Sequence, residues 1–159
     1  MDIQLPSYLL PIELFLGKPL NNGKVDDCHR MGDDCEQYAA TNKGILAEGQ
    51  DHKTRAVATG QGDDIAAFHQ KFEDPQGAHR NLVDASTGTH VMGTGLKVAG
   101  NIILAHKGVT LFQYGLTAAA LAEAALTGGF GAMAAPMIRQ AANKAIDYAT
   151  NQAAYQVLG

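Results

Sequence analysis

Six histidines (His29, His52, His69, His79, His90 and His106) and two cysteines (Cys28 and Cys35) are the side chains best suited to metal or acid–base chemistry. A zinc enzyme needs histidines one helical turn apart or a His-Glu-x-x-His box, and neither spacing occurs. Cys28 and Cys35 are seven residues apart. On a helix that puts them on one face about two turns, roughly 10 Å, from each other, beyond disulfide reach. They read as small core residues. The acid pairs Asp26/Asp27, Asp33/Asp34 and Asp63/Asp64 are adjacent in sequence. On a helix each pair diverges by about 100° and cannot flank one substrate atom, so these read as caps and solvated faces. Ser7 and Ser86 are the only serines, and neither lies in a Gly-x-Ser-x-Gly elbow. Gly93-Thr94-Gly95-Leu96-Lys97 lacks the spacing of a phosphate loop. The expectation is a non-enzyme with no catalytic residue, no cofactor and no metal.

Elements must therefore carry the function. The chain has 159 residues, 46% of them apolar and 18% charged, enough for one domain with a real core. Aromatics make up 6%, Trp is absent and Gly reaches 18 residues, so the core must rely on close backbone approach. The net charge of -4 leaves no basic footprint for nucleic acid. Residues 1–90 hold 14 acids and 8 bases, whereas 91–159 hold 2 acids and 4 bases: an acidic front and an apolar, mildly basic back. The apolar opening, Leu5 to Gly17, follows Asp2, contains Glu13 and is broken by Pro6 and Pro11, which is not the pattern of a Sec signal.

Pro19, Asn21, Asn22 and Gly23 predict a turn, and a long helix starts near Lys24 with Asp26 and Asp27 in its first turn. Its expected seam is Val25, Cys28, Met31, Cys35, Tyr38, Asn42, Ile45, Gly49, His52 and Ala56, in steps of three and four. Gly60-Gln61-Gly62 ends it, and Asp63 or Asp64 begins a helix that carries Ile65, Phe68 and Phe72 on one face. Asp74-Pro75-Gln76-Gly77 ends that helix. A second seam follows at Leu82, Ala85, Thr89, Met92, Leu96, Ala99, Ile103 and His106, with Gly88, Gly93, Gly95 and Gly100 alongside to admit a close neighbour. Residues 102–126 are nearly all apolar, Thr127-Gly128-Gly129 stops them, and Pro136 suits the first turn of a final helix. That helix should turn Ile138, Ala142, Ala145, Ile146, Ala149, Ala153 and Val157 inward, and Arg139, Lys144, Asp147 and Asn151 outward. The expected fold is all-α: an antiparallel helical-hairpin bundle of four to five helices with an apolar, Gly/Ala-rich C-terminal half. Its organisation is a single domain over 1–159, with a capping segment at 1–23, a hairpin at 24–106 and apolar helices at 107–159.

The stretch from Gly108 to Ile138 also has the outline of a membrane hairpin. Gln113 and Glu123 interrupt its first arm, and the second runs only about ten residues to Arg139, short of the ~20 that span a bilayer. Core packing is the favoured reading. A membrane-active or pore-forming protein using 108–138 is the alternative.

Leu5-Pro6-Ser7 opening an apolar segment to Gly17, a long polar helix, a Gly-rich break, a Phe68/Phe72 helix and an apolar helix ended by Thr-Gly-Gly occur here in that order. In this order and spacing, over roughly residues 3–148, the chain resembles the WXG-like N-terminal domain of actinobacterial type VII secretion substrates. More narrowly, it resembles the head domain of the outer-membrane channel/necrosis-toxin family and related polymorphic toxins. The family's Trp-x-Gly turn corresponds to Thr59, Gly60 and Gly62, here without Trp. Its Tyr-x-x-x-acid export signal has no copy: Tyr38 leads to Asn42, Tyr114 to Ala118, Tyr148 to Gln152 and Tyr155 to Gly159. The resemblance implies a non-enzymatic secretion substrate or delivery adaptor, cytoplasmic before export and then secreted or at the cell surface. It implies pairing with a WXG-family helical-hairpin partner or with a second copy; membrane contact is possible, and the charge balance already leaves no nucleic-acid partner. Cys35, Tyr38, Ile45, Phe68, Phe72, Leu96 and Ile103 are the expected partner-binding seam residues.

Overall fold

The computed structural model describes residues 2–126 and 130–158, with side chains at 2–126 and 134–155. The chain is an all-α helical bundle: a 3-10 turn at Ser7–Leu9, then α1 (Leu10–Leu16), α2 (Val25–Thr59), α3 (Asp63–Glu73), α4 (Ala78–Leu126) and α5 (Phe130–Leu158). No strand occurs among the described residues. The breaks expected at Gly60–Gly62 and Asp74–Gly77 fall between α2, α3 and α4. The expected stop at 127–129 lies outside the described residues. Pro136 does not open the last helix but stands inside it. Six residues precede it in α5. There its missing N–H costs one i→i−4 bond, close enough to the helix start for the remaining turns to carry it.

The chain packs as two compact units, Met1–Asp27 with Val98–Gly159, and Cys28–Lys97. The division expected at 106/107 falls inside α4, which continues unbroken to Leu126.

In the second unit, α2 and α4 run antiparallel. Gly32 faces Gly93, and seven residues further along α2 the Ala39 carbonyl accepts a hydrogen bond from Ser86 Oγ (3.0 Å), seven residues back along α4. At the first point the two backbones nearly touch. A Cβ on Gly93 would lie 2.8 Å from the Gly32 carbonyl oxygen, and one on Gly32 would lie 2.8 Å from that of Gly93. Lys97 Nζ closes the crossing through Asp33 Oδ1 and Glu36 Oε2, each at 2.7 Å. Those two carboxylates hold the Lys97 ammonium above its ordinary pKa, Asp33 first and Glu36 second.

This contact displaces four of the ten expected seam residues on α2 and two of the eight on α4 by one residue. On α2 the inward row is Gly32, Ala39, Leu46 and Lys53, a strict heptad, joined by Cys35, Asn42 and Gly49. Met31, Tyr38, Ile45 and His52, expected in that row, are exposed. On α4 Ser86 and Gly93 are buried, whereas Ala85 and Met92 are exposed; Leu82, Thr89 and Leu96 keep their expected half-buried places. The reason is distance at the crossing: beside Gly32 and Gly93 only residues with little side chain fit between the axes, and the heptad register set there carries Leu46 and Lys53 inward further along α2. Asn42 is buried in the row with its amide nitrogen unpartnered, a cost of about 1–3 kcal/mol.

The first unit has a conventional core of Leu9, Leu16, Tyr114, Ala142 and Ile146, with Leu5, Ile12, Phe15, Leu111 and Ala118 packed on it. α1 ends at Gly17, whose left-handed φ of 66° lets its N–H reach the Glu13 carbonyl oxygen. Tyr114 is fully buried and its hydroxyl donates to the Lys18 carbonyl. Burial, with the nearby Glu13 charge, pushes its pKa up to about 12. Asp2 Oδ1 accepts the Val25 N–H (2.7 Å) at the start of α2 and stands 3.9 Å from Lys107 Nζ, whose side chain is only 4% exposed. On α5 the expected inward and outward residues fall as read, from Ile138 to Ala153, while the side chain of Val157 lies outside the described residues.

The close crossing predicts opposite effects for two neighbouring glycines. Gly93→Ala should lower stability by about 1–2 kcal/mol despite its gain in helix propensity, because its methyl meets backbone. Gly95→Ala, whose Cβ meets nothing within 4 Å, should raise stability by about 0.5–1 kcal/mol. Urea unfolding midpoints of the two variants check this, and equal shifts would dismiss the crossing.

Candidate functional site

Three of the seven expected partner-binding residues, Ile45, Phe68 and Phe72, meet around one groove in the unit Cys28–Lys97. The groove holds ≈ 370 Å³ between Ile45, Leu46 and Gly49 of α2, Phe68, Lys71 and Phe72 of α3, and Ala78, His79 and Leu82 of α4. Two turns shape it. At the first, the Gly60 N–H donates to the Ala56 carbonyl (2.8 Å), and Gly62 takes φ 115°, open to glycine. A Cβ on Gly60 would lie 2.6 Å from Ile65 Cδ1, so Ile65 packs against and closes this turn. Thr59 is exposed and its hydroxyl donates back to the Arg55 carbonyl (2.9 Å). At the second, Asp74 accepts the Gln76 N–H on its side chain (2.9 Å) and the Gly77 N–H on its carbonyl (2.8 Å), the geometry of an Asx turn. That turn brings His79 onto Phe72, ring centroids 4.4 Å apart; Phe68 lies 6.0 Å from Phe72.

α3 has no buried residue. It is held instead by a polar clamp. Lys53, buried on α2, ion-pairs with Glu73 and places its ammonium 5.3 Å from the Phe72 ring centroid. The hydrogen bond and charge of Lys53 hold the Glu73 carboxyl below the ordinary carboxylate range, with smaller contributions from His69 and His79.

The other expected residues lie elsewhere. Cys35 and Leu96 are half-buried, and Cys35 sits against the Gly93 crossing, where a Cβ on Gly93 would lie 3.1 Å from its own. Tyr38 is exposed on α2. Ile103 belongs to the other unit and packs over Gly23. Leu46, Lys71 and His79 line the groove without having been read as site residues, although Leu82 and Gly49 stood in the expected seams. The available signal was the Asp74–Gly77 turn, which by its shortness folds the start of α4 back onto Phe72.

A second groove, ≈ 440 Å³, lies between α4 and α5 in the other unit, lined by Ile102, His106, Val109, Tyr148 and Ala149 among others. His106 Nε2 meets Thr150 Oγ1 there at 2.9 Å. Among the described residues no three His, Cys, Asp or Glu side chains form a metal-binding group.

The clamp has a pH signature. A carboxyl whose folded-state pKa is depressed stabilises above its unfolded value, and that contribution is lost as pH falls through and below the ordinary carboxylate range. Amide exchange over 63–73, corrected for its intrinsic pH dependence, should therefore accelerate from about pH 5 downward. Glu73→Gln should exchange faster at neutral pH and lose most of that acid dependence; an unchanged profile would detach the pair from α3. Against known proteins, no family model, no curated protein and no solved structure matches this chain.

Proposed function

We propose that the chain is a non-enzymatic pairing and delivery module of the type VII secretion kind, docking a WXG-like helical-hairpin partner along α2. One observation carries this reading: Met31, Tyr38 and Ile45, seven residues apart, are 51%, 56% and 52% exposed. Residues at that spacing drift only about 20° per heptad, so the three make one apolar stripe about 21 Å long. A helix with such a stripe beside a finished seam is built to accept another helix. Asp34 and Glu48 lie exposed along the same helix, which suits a partner helix with basic edges. The Gly-rich hairpin turn and the order of the elements support the secretion context by resemblance.

A second reading, membrane insertion of the 108–138 hairpin, draws on a different observation. The helical run that ends at Leu126 contains an 18-residue window apolar enough to cross a membrane, and only 17% of it is buried. Val109, Phe112 and Leu116 are exposed on it. Residues 127–129, expected to join its two arms, lie outside the described residues.

Affinity capture from the native host separates the two. The wild-type chain should recover one small helical-hairpin protein in stoichiometric amount, and Tyr38→Asp with Ile45→Asp should lose it while keeping the far-UV helical signal. A variant that still retains the partner would overturn the α2 surface. A chain recovered alone that releases dye from liposomes, with release dependent on Glu123, would replace pairing by membrane action.

A further inference from the structure

From the groove between α2, α3 and α4, which shares Ile45 with the α2 pairing stripe, we infer a second capacity: a binding site for a single-chain amphiphilic anion of the medium-chain carboxylate class. Its volume, ≈ 370 Å³, falls in the range of small-ligand sites, about 300–1,000 Å³. It is walled by three helices. It is open to solvent on its outer side, but each wall is only about one helical turn long, Ile45 to Gly49, Phe68 to Phe72 and Ala78 to Leu82, roughly 6 Å, which suits a compact ligand better than a helix, and the volume seats one chain rather than the two of a bilayer phospholipid. The walls are Ile45, Leu46, Phe68, Phe72 and Leu82, the composition of an apolar ligand pocket.

Charge then selects the ligand. Lys71 is the one charged lining residue, His79 adds an imidazole, and no carboxylate lines the groove. The nearest acid on α3, Glu73, is engaged by Lys53 and does not line the groove. An apolar ligand with a carboxylate head thus meets a cation, and one with an ammonium head meets only like charge. Gly49 leaves the α2 wall bare, since a Cβ there would meet nothing within 4 Å. The Phe72–His79 ring contact holds the opposite wall in place before any ligand arrives.

Calorimetric titration of the full chain with decanoate, and with decyltrimethylammonium as the cationic counterpart, tests the site in the absence of any partner. Decanoate should bind saturably at one per chain, and the ammonium analogue about tenfold more weakly or not at all. Lys71→Glu, a surface change that leaves the fold intact, should weaken decanoate about tenfold and narrow the difference between the probes. Gly49→Phe, with an unchanged far-UV signal, should abolish binding of both. No saturable binding, equal affinity for the two probes, or decanoate binding that survives Gly49→Phe would each overturn the proposal.

Discussion

The contact between the backbones of Gly32 and Gly93 is the constraint from which the rest of the unit Cys28–Lys97 follows. Side chains normally hold helix axes 8–10 Å apart. Where neither helix has one, carbonyl oxygens approach the facing backbone directly, and the seam can be filled only by small or slender residues. Ala39, Ser86 and Asn42 are such residues, and all three are buried. Little apolar area is gained there, so the pairing rests on dispersion at close range and on polar links: Ser86 to the Ala39 carbonyl, and Lys97 to Asp33 and Glu36.

The same constraint accounts for the exposed surface. A helix that turns Gly32 and Ala39 inward must turn their neighbours Met31 and Tyr38 aside, by the 100° that separates consecutive residues. Met92 is displaced from α4 beside Gly93 in the same way. The exposed apolar residues of α2 are thus a geometric consequence of the crossing rather than a scatter of unburied residues. Their heptad spacing is that of the buried row, shifted by one.

The sequence made the punctuation of the fold legible and the placement of its seams only partly so. Gly60–Gly62 and Asp74–Gly77 act locally, through backbone freedom and an Asx turn, and local signals survive in a linear reading. So does the inward face of α5, where Ile138, Ala142 and Ile146 are both apolar and inward. The α2 and α4 rows depart from the expected ones at several steps because apolar side-chain size ranks Met31 above Gly32 and Tyr38 above Ala39, whereas close packing ranks them the other way. Contacts between residues distant in the chain left no trace at all. Nothing near Val25 announces that Asp2 will cap it, and nothing near Tyr114 announces the Lys18 carbonyl that accepts its hydrogen bond. Of the groove, the aromatic pair was visible as a helical face, but Lys71 and His79 acquire meaning only when the turn folds α4 back on α3.

α3 shows why that groove stays available. A helix that buried Phe68 and Phe72 fully would gain about 1.5–3 kcal/mol for each, and hydrophobic burial alone would hold it against α2. Here Phe68 remains exposed, Phe72 is half-buried, and no residue of α3 is buried outright. The helix is held at one end by Ile65 against Gly60 and at the other by Lys53 with Glu73 and the Phe72 face. Tethering at both ends, by an apolar contact at one and an ion pair at the other, keeps the middle from collapsing onto Ile45 and Leu46. The unclosed space between them is therefore maintained by the clamp, and its apolar walls keep the free energy that collapse would have released for whatever fills it.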